Sequence, residues 1–110
     1  MLTLFIAQEK SYYVDDGCHS ENVNPDDITG YYQLQSSYAF VRCCSTDGGS
    51  CDTLSDCTDS SNLVTYADAH TECAAQGMRL CTKDELLSDF CCGTGGQCDS
   101  QKVWTSTAGI

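Results

Sequence analysis

Apolar and polar positions change period several times along this chain, and each change marks an element. Leu2–Ala7 (LTLFIA) is an unbroken apolar run rich in strand formers and reads as a strand. Residues 15–30 (DDGCHSENVNPDDITG) carry acids and turn formers with no period, so they read as a loop. Tyr31 to Cys44 (YYQLQSSYAFVRCC) predicts one or two strands around a Ser-Ser turn. In its second half Tyr38, Phe40 and Arg42 share one face, while Ala39, Val41 and Cys43 share the other. Cys43 and Cys44 must therefore point to opposite faces, so that one can staple the core and the other tie down a loop.

The period then shifts from two to 3.6. Thr65, with Asp68 three residues later, resembles a capping box. Tyr66, Ala69, Cys73 and Ala74 fall on one face of the helix that follows. Gly77 suits the position just past its end, where a left-handed backbone costs glycine little. Thr82 and Glu85 repeat the capping spacing before Leu86, Leu87 and Phe90. Val103 to Thr107 predicts a final strand. Two stretches between these elements, STDGGSCDTLSDCTDSSN and CCGTGGQCDS, read as loops clipped by their cysteines.

Cysteine content changes the picture most. Ten of the 110 residues are Cys, a density typical of disulfide scaffolds. They are Cys18, Cys43, Cys44, Cys51, Cys57, Cys73, Cys81, Cys91, Cys92 and Cys98. Zinc sites favour C-x2-C pairs, and none occurs, so five bridges and an extracellular or cell-surface location are expected. Which sulfurs pair stays open, since ten cysteines admit on the order of a thousand connectivities. Net charge is −11, with 16 acids against 5 bases. That excludes the basic footprint of nucleic-acid binding. No run is long enough to span a membrane. Residues 1–7 lack a basic flank and carry a large Phe5 near Ala7, so they read as a retained strand rather than a signal peptide. An export signal is then expected elsewhere.

TYADAHTECAAQGMRLCTKDEL resembles the helical core of C-type-lectin-like domains through Tyr66, Ala69, Cys73, Gly77, Leu80 and Glu85 in order. GMRLCTKDE is similar to a stretch of the sulfatase-modifying-factor branch of that fold, and VWTST to its Trp-containing strand. The resemblance spans 63–107. It implies an α+β fold, a small disulfide-rich domain with two short helices packed on an antiparallel sheet and long loops. All of 1–110 then forms one domain, with residues 1–7 as an N-terminal strand. Relatives end on a Val-Arg-Cys-like strand, whose best match here is displaced to residues 39–44, ahead of the helices. Such a displacement implies a permuted domain or strands exchanged between copies. In a permuted domain the resemblance implies that Cys43 or Cys44 pairs with Cys73, at a Cα separation of roughly 4.4–6.8 Å.

The family's calcium-dependent sugar site does not carry over. VWTS lacks the Asn-Asp pair after Trp104, and NPDD (Asn24 to Asp27) precedes the helices. No cofactor is expected. Should Ca²⁺ bind, Asp15, Asp16, Asp26 and Asp27 are its candidate ligands, with Glu21 beside them. His70 and Cys73 have a chelating i, i+3 spacing that oxidation of Cys73 would remove; His19 beside Cys18 is no more specific. GTGG (Gly93 to Gly96) lacks the Lys-Ser/Thr of a phosphate-binding loop, and no nucleophile-elbow motif occurs, so an enzyme is not expected. Tyr12, Tyr13, Tyr31, Tyr32 and Trp104 are candidates for a ligand or interface surface, since aromatics stack on sugars and bury at protein contacts.

The function expected is a secreted, non-enzymatic structural module that self-assembles into a fibre or surface layer through strand pairing. Leu2, Leu4, Phe5 and Ile6 are its candidate assembly residues. The alternative is a monomeric carbohydrate-binding module without the calcium site.

Overall fold

The computed structural model describes residues 9–18, 30–54, 56–88, 91, 98 and 101–109. Leu2, Leu4, Phe5, Ile6, His19, Glu21, Asp26, Asp27, Phe90, Cys92 and the GTGG turn lie outside the described residues. The fold is α+β and disulfide-rich, with two α-helices and two small antiparallel sheets among the described residues. The first sheet has the order β2–β1–β6, formed by Tyr31–Leu34, Ser11–Asp16 and Lys102–Ala108. The second has the order β4–β3–β5, formed by Cys51–Asp52, Cys43–Cys44 and Arg79–Leu80. The single sheet expected from the sequence is thus divided. Strands of two residues carry too few ladder bonds to extend the first sheet, and residues 39–42 leave regular pairing between the two. Phe40 joins them as a parallel bridge on Val103, its N–H bonding the Lys102 carbonyl at 3.0 Å.

Alternation along residues 39–44 sorts the core into two clusters. Ala39, Val41 and Cys43 face one cluster with Val14, Ala69, Cys73, Leu80 and Trp104. Phe40 and Cys44 face the other, with Cys57, Cys81, Leu86, Cys91, Cys98 and Val103. Strand β6 alternates in the same way, so Val103 and Trp104 are both buried, on opposite sides. Arg42 is fully buried, and its Nη1 donates to the carbonyls of Gly17 at 2.7 Å and Cys91 at 3.1 Å.

Helix α1 spans Tyr66–Ala75 and buries Ala69 and Cys73. Ala74, expected on that face, is exposed. Thr65 makes no side-chain cap bond; the Gln35 carbonyl receives the Tyr66 N–H instead, at 3.2 Å. Gln76 ends the helix, and Gly77 follows with φ of +69°, a conformation that a Cβ would strain. Helix α2, Lys83–Leu87, has the full capping box: Thr82 accepts from the Glu85 N–H, and Glu85 accepts from the Thr82 N–H. Glu85 also holds Arg79 through paired contacts of 2.8 and 3.0 Å. Hydrogen bonding to Arg79 is the first reason that its carboxyl titrates below the usual range.

Four disulfides cross-link the described residues: Cys43–Cys73, Cys44–Cys81, Cys51–Cys91 and Cys57–Cys98. Cys43 and Cys73 have a Cα separation of 5.5 Å. Cys18 is disulfide-bonded as well. Cys51 and Cys57 tie their loop not to itself but to Cys91 and Cys98. Among the described residues no helix is long and apolar enough to cross a membrane.

Candidate binding surface

The outer strand of the first sheet carries the exposed aromatics. Tyr31, Tyr32 and Leu34 are 47%, 44% and 49% exposed, and Tyr38 beyond the turn is 64% exposed. Register explains what the strand offers. Ser11 faces Leu34 and Tyr13 faces Tyr32 across the β1–β2 ladder, and the Gln35 N–H bonds the Lys10 carbonyl at 2.9 Å. In an antiparallel pair, hydrogen-bonded and non-bonded positions alternate. Tyr31 and Gln33 therefore turn their backbone groups toward β1. Tyr32 turns its N–H and C=O outward, and Leu34 its N–H; the Leu34 carbonyl is taken by Ser37 at 2.9 Å. Among the described residues no strand lies beyond β2.

Beside this edge lies a groove of about 380 Å³, lined among the described residues by Ser11, Tyr32, Ala108 and Gly109. Gly109 is required there. Its N–H bonds the Ser11 carbonyl at 2.8 Å, and a Cβ would run into Ser11 Oγ and sit 3.1 Å from the Tyr32 ring. Behind the groove Tyr32 meets Tyr13 edge-on, with centroids 5.3 Å apart. The Lys83 ammonium lies 4.8 Å from the Tyr13 centroid and 5.5 Å from that of Tyr32, a cation–π arrangement.

The other candidate residues have structural partners. Tyr13 is buried, and its hydroxyl donates to the buried Asp15 carboxylate at 2.7 Å. Burial first, and then this bond, push its phenol well above the ordinary range. Tyr12 stacks flat on Tyr66 at 3.5 Å. Burial, and next the Tyr12 charge, push the Tyr66 phenol up to about 12. Trp104 is fully buried, its indole N–H bonding the Val64 carbonyl at 2.8 Å. It is a core residue with no surface to present. Asp16 pairs with Lys102 at 2.5 Å, so Asp15 and Asp16 both serve internal contacts, while Asp26 and Asp27 lie outside the described residues. His70 cannot share a metal with Cys73, whose sulfur is bonded to Cys43.

Much of the described acidity is turn chemistry. Asp47 accepts from Ser45 Oγ at 2.6 Å and the Gly49 N–H at 2.9 Å. Asp56 and Asp59 bind the hydroxyls and N–H groups of Thr58 and Ser61. These bonds favour the charged form and hold all three carboxyls below their usual range.

Sequence reasoning missed one grouping. Cys44, Cys51, Cys81 and Cys91 place all four sulfurs within 4.8 Å of one another. The four come from separate segments, so no spacing motif announces them. Bonded in pairs, they offer a metal no thiolate. Comparison with family models, curated proteins and solved structures returned no match to this chain.

Proposed function

We propose that this chain is an extracellular, non-enzymatic interaction module of permuted C-type-lectin-like architecture that self-associates by strand addition at β2. The outward backbone groups of Tyr32 and Leu34 carry this reading. Beside them Tyr31, Tyr32 and Leu34 expose apolar side chains, and such an edge is a template for an incoming strand. Leu2–Ala7 of a second copy is the donor its apolar pattern suits. The Cys43–Cys73 bridge supports the permuted architecture, because it ties the displaced Val-Arg-Cys strand to the first helix. Disulfide density supports the extracellular assignment.

Sedimentation tests the association. The native protein is expected to sediment as concentration-dependent oligomers. Removal of residues 1–7, or Leu34→Pro, which deletes an outward N–H, should each yield a monomer with its bridges intact. A monomer at all concentrations would refute the reading.

The groove favours a second reading. With Tyr32 on its wall and hydroxyls nearby, it suits one sugar ring stacked on an aromatic face. Glycan binding by a monomer, lost in Tyr32→Ala, would establish that alternative instead.

A further inference from the structure

The four-sulfur cluster supports a reaction that neither reading uses. Cys44 and Cys81 form one bridge, and Cys51 and Cys91 the other. Between the bridges, Cys44 Sγ lies 3.7 Å from both Cys51 and Cys91, and Cys81 Sγ lies 3.7 Å from Cys91. Cys44, Cys81 and Cys91 are fully buried, whereas Cys51 is half-exposed. Cys51 is the one described cysteine that is not buried.

We infer that Cys51 is the entry point of a thiol-operated disulfide relay that exchanges these two bridges for Cys44–Cys51 and Cys81–Cys91. A small monothiol ionises, and its thiolate attacks Cys51. The Cys51–Cys91 bond breaks, leaving a mixed disulfide on Cys51 and a thiolate on Cys91. That thiolate attacks Cys81 across 3.7 Å, forming Cys81–Cys91 and expelling Cys44 as thiolate. Cys44 then attacks the mixed disulfide on Cys51, also across 3.7 Å. The small thiol departs and recovers its proton. Two protein disulfides stand before and after, each step makes one S–S bond and breaks one, and no oxidant or reductant is consumed.

The product differs in reach. The starting bridges join residues 37 and 40 apart in sequence; the new ones join residues 7 and 10 apart. Cys44 and Cys51 already face each other across the β3–β4 pair, so their bridge asks little of the backbone. Cys81–Cys91 encloses α2, which then loses its covalent tie to β3 and β4. The cluster is a switch between a long-range and a local connectivity; thiol, which is not consumed, opens the exchange and sets its rate, and the relative stability of the two forms sets its position.

The test treats the native protein with substoichiometric glutathione at mildly alkaline pH, quenches by acid and alkylation, and maps the disulfides by peptide mass. The expected result is Cys44–Cys51 and Cys81–Cys91 appearing together, with Cys43–Cys73 and Cys57–Cys98 unchanged and free thiol constant. The isomer should melt at lower temperature. Cys51→Ser/Cys91→Ser, lacking the entry bridge, should keep Cys44–Cys81 under the same treatment. Unchanged bridges in the native protein, a stable adduct on Cys51 with Cys44–Cys81 intact, or scrambling over all cysteines would each overturn the relay.

Discussion

The two sheets of this small protein cohere by different means. In β2–β1–β6 the strands are four to seven residues long, and the residues making the ladder include no cysteine. Its strength comes from register, stacked tyrosines and the buried Trp104. In β4–β3–β5 each strand has two residues, and disulfides leave Cys43, Cys44 and Cys51 for the rest of the molecule. A two-residue strand cannot hold its place by hydrogen bonds, so sulfur does it. The first sheet keeps an outer strand with exposed aromatics, while the second is held to the rest of the molecule by its cross-links.

Full reduction is expected to have the largest effect, because the first sheet does not stand without the sulfur-held one. Native disulfides in small domains are worth about 2–5 kcal/mol each, so losing all of them exceeds the usual net stability of about 5–15 kcal/mol. Far-UV circular dichroism and urea titration with excess dithiothreitol are expected to show an unfolded chain. Persistence of cooperative unfolding would show that the first sheet stands alone. Next in size is Trp104→Ala, which leaves a cavity beside Tyr66 and removes one of the two donors to the Val64 carbonyl, the Ala39 N–H remaining at 3.1 Å. Chemical denaturation should register a loss of about 3–5 kcal/mol, with all bridges formed.

Smaller effects refine the contrast. Thr82→Ala removes the α2 cap and should cost about 1 kcal/mol by the same measurement. Burial and Tyr12 raise the Tyr66 phenol from 10.0 to about 12 in the folded state. Its contribution is therefore complete below pH 10 and fades as pH rises toward 12. Half-exposure of the ring and solvent screening keep that loss below about 1 kcal/mol. Thermal melts between pH 9 and 12 should fall in this window, and Tyr66→Phe should flatten that part of the profile.

Local features were legible in the sequence because they are fixed by near neighbours. The Thr82–Glu85 box and Gly77 after α1 follow from spacing alone. So does the alternation of Ala39 to Cys44, which places Ala39, Val41 and Cys43 against one cluster and Phe40 and Cys44 against the other. Features requiring distant partners were not legible. Thr65 looked like a side-chain cap, but the Gln35 carbonyl, brought in from another segment, meets the helix end instead. Trp104 looked like a surface candidate because its neighbour Val64 lies 40 residues away. The four-sulfur cluster draws on residues 44, 51, 81 and 91, whose meeting depends on the whole topology. Tyr31 and Tyr32 were legible as interface candidates in a strand; that this strand is the outer one, and which of its backbone groups face outward, depends on the register with β1.

Sedimentation velocity of the full chain against Leu34→Pro, across a hundredfold range of concentration, tests the β2 contact most directly. The native chain is expected to grow in size with concentration while the variant, with its disulfide map unchanged, stays a monomer. Equal association by both proteins would show that the edge of the sulfur-free sheet is not where copies meet.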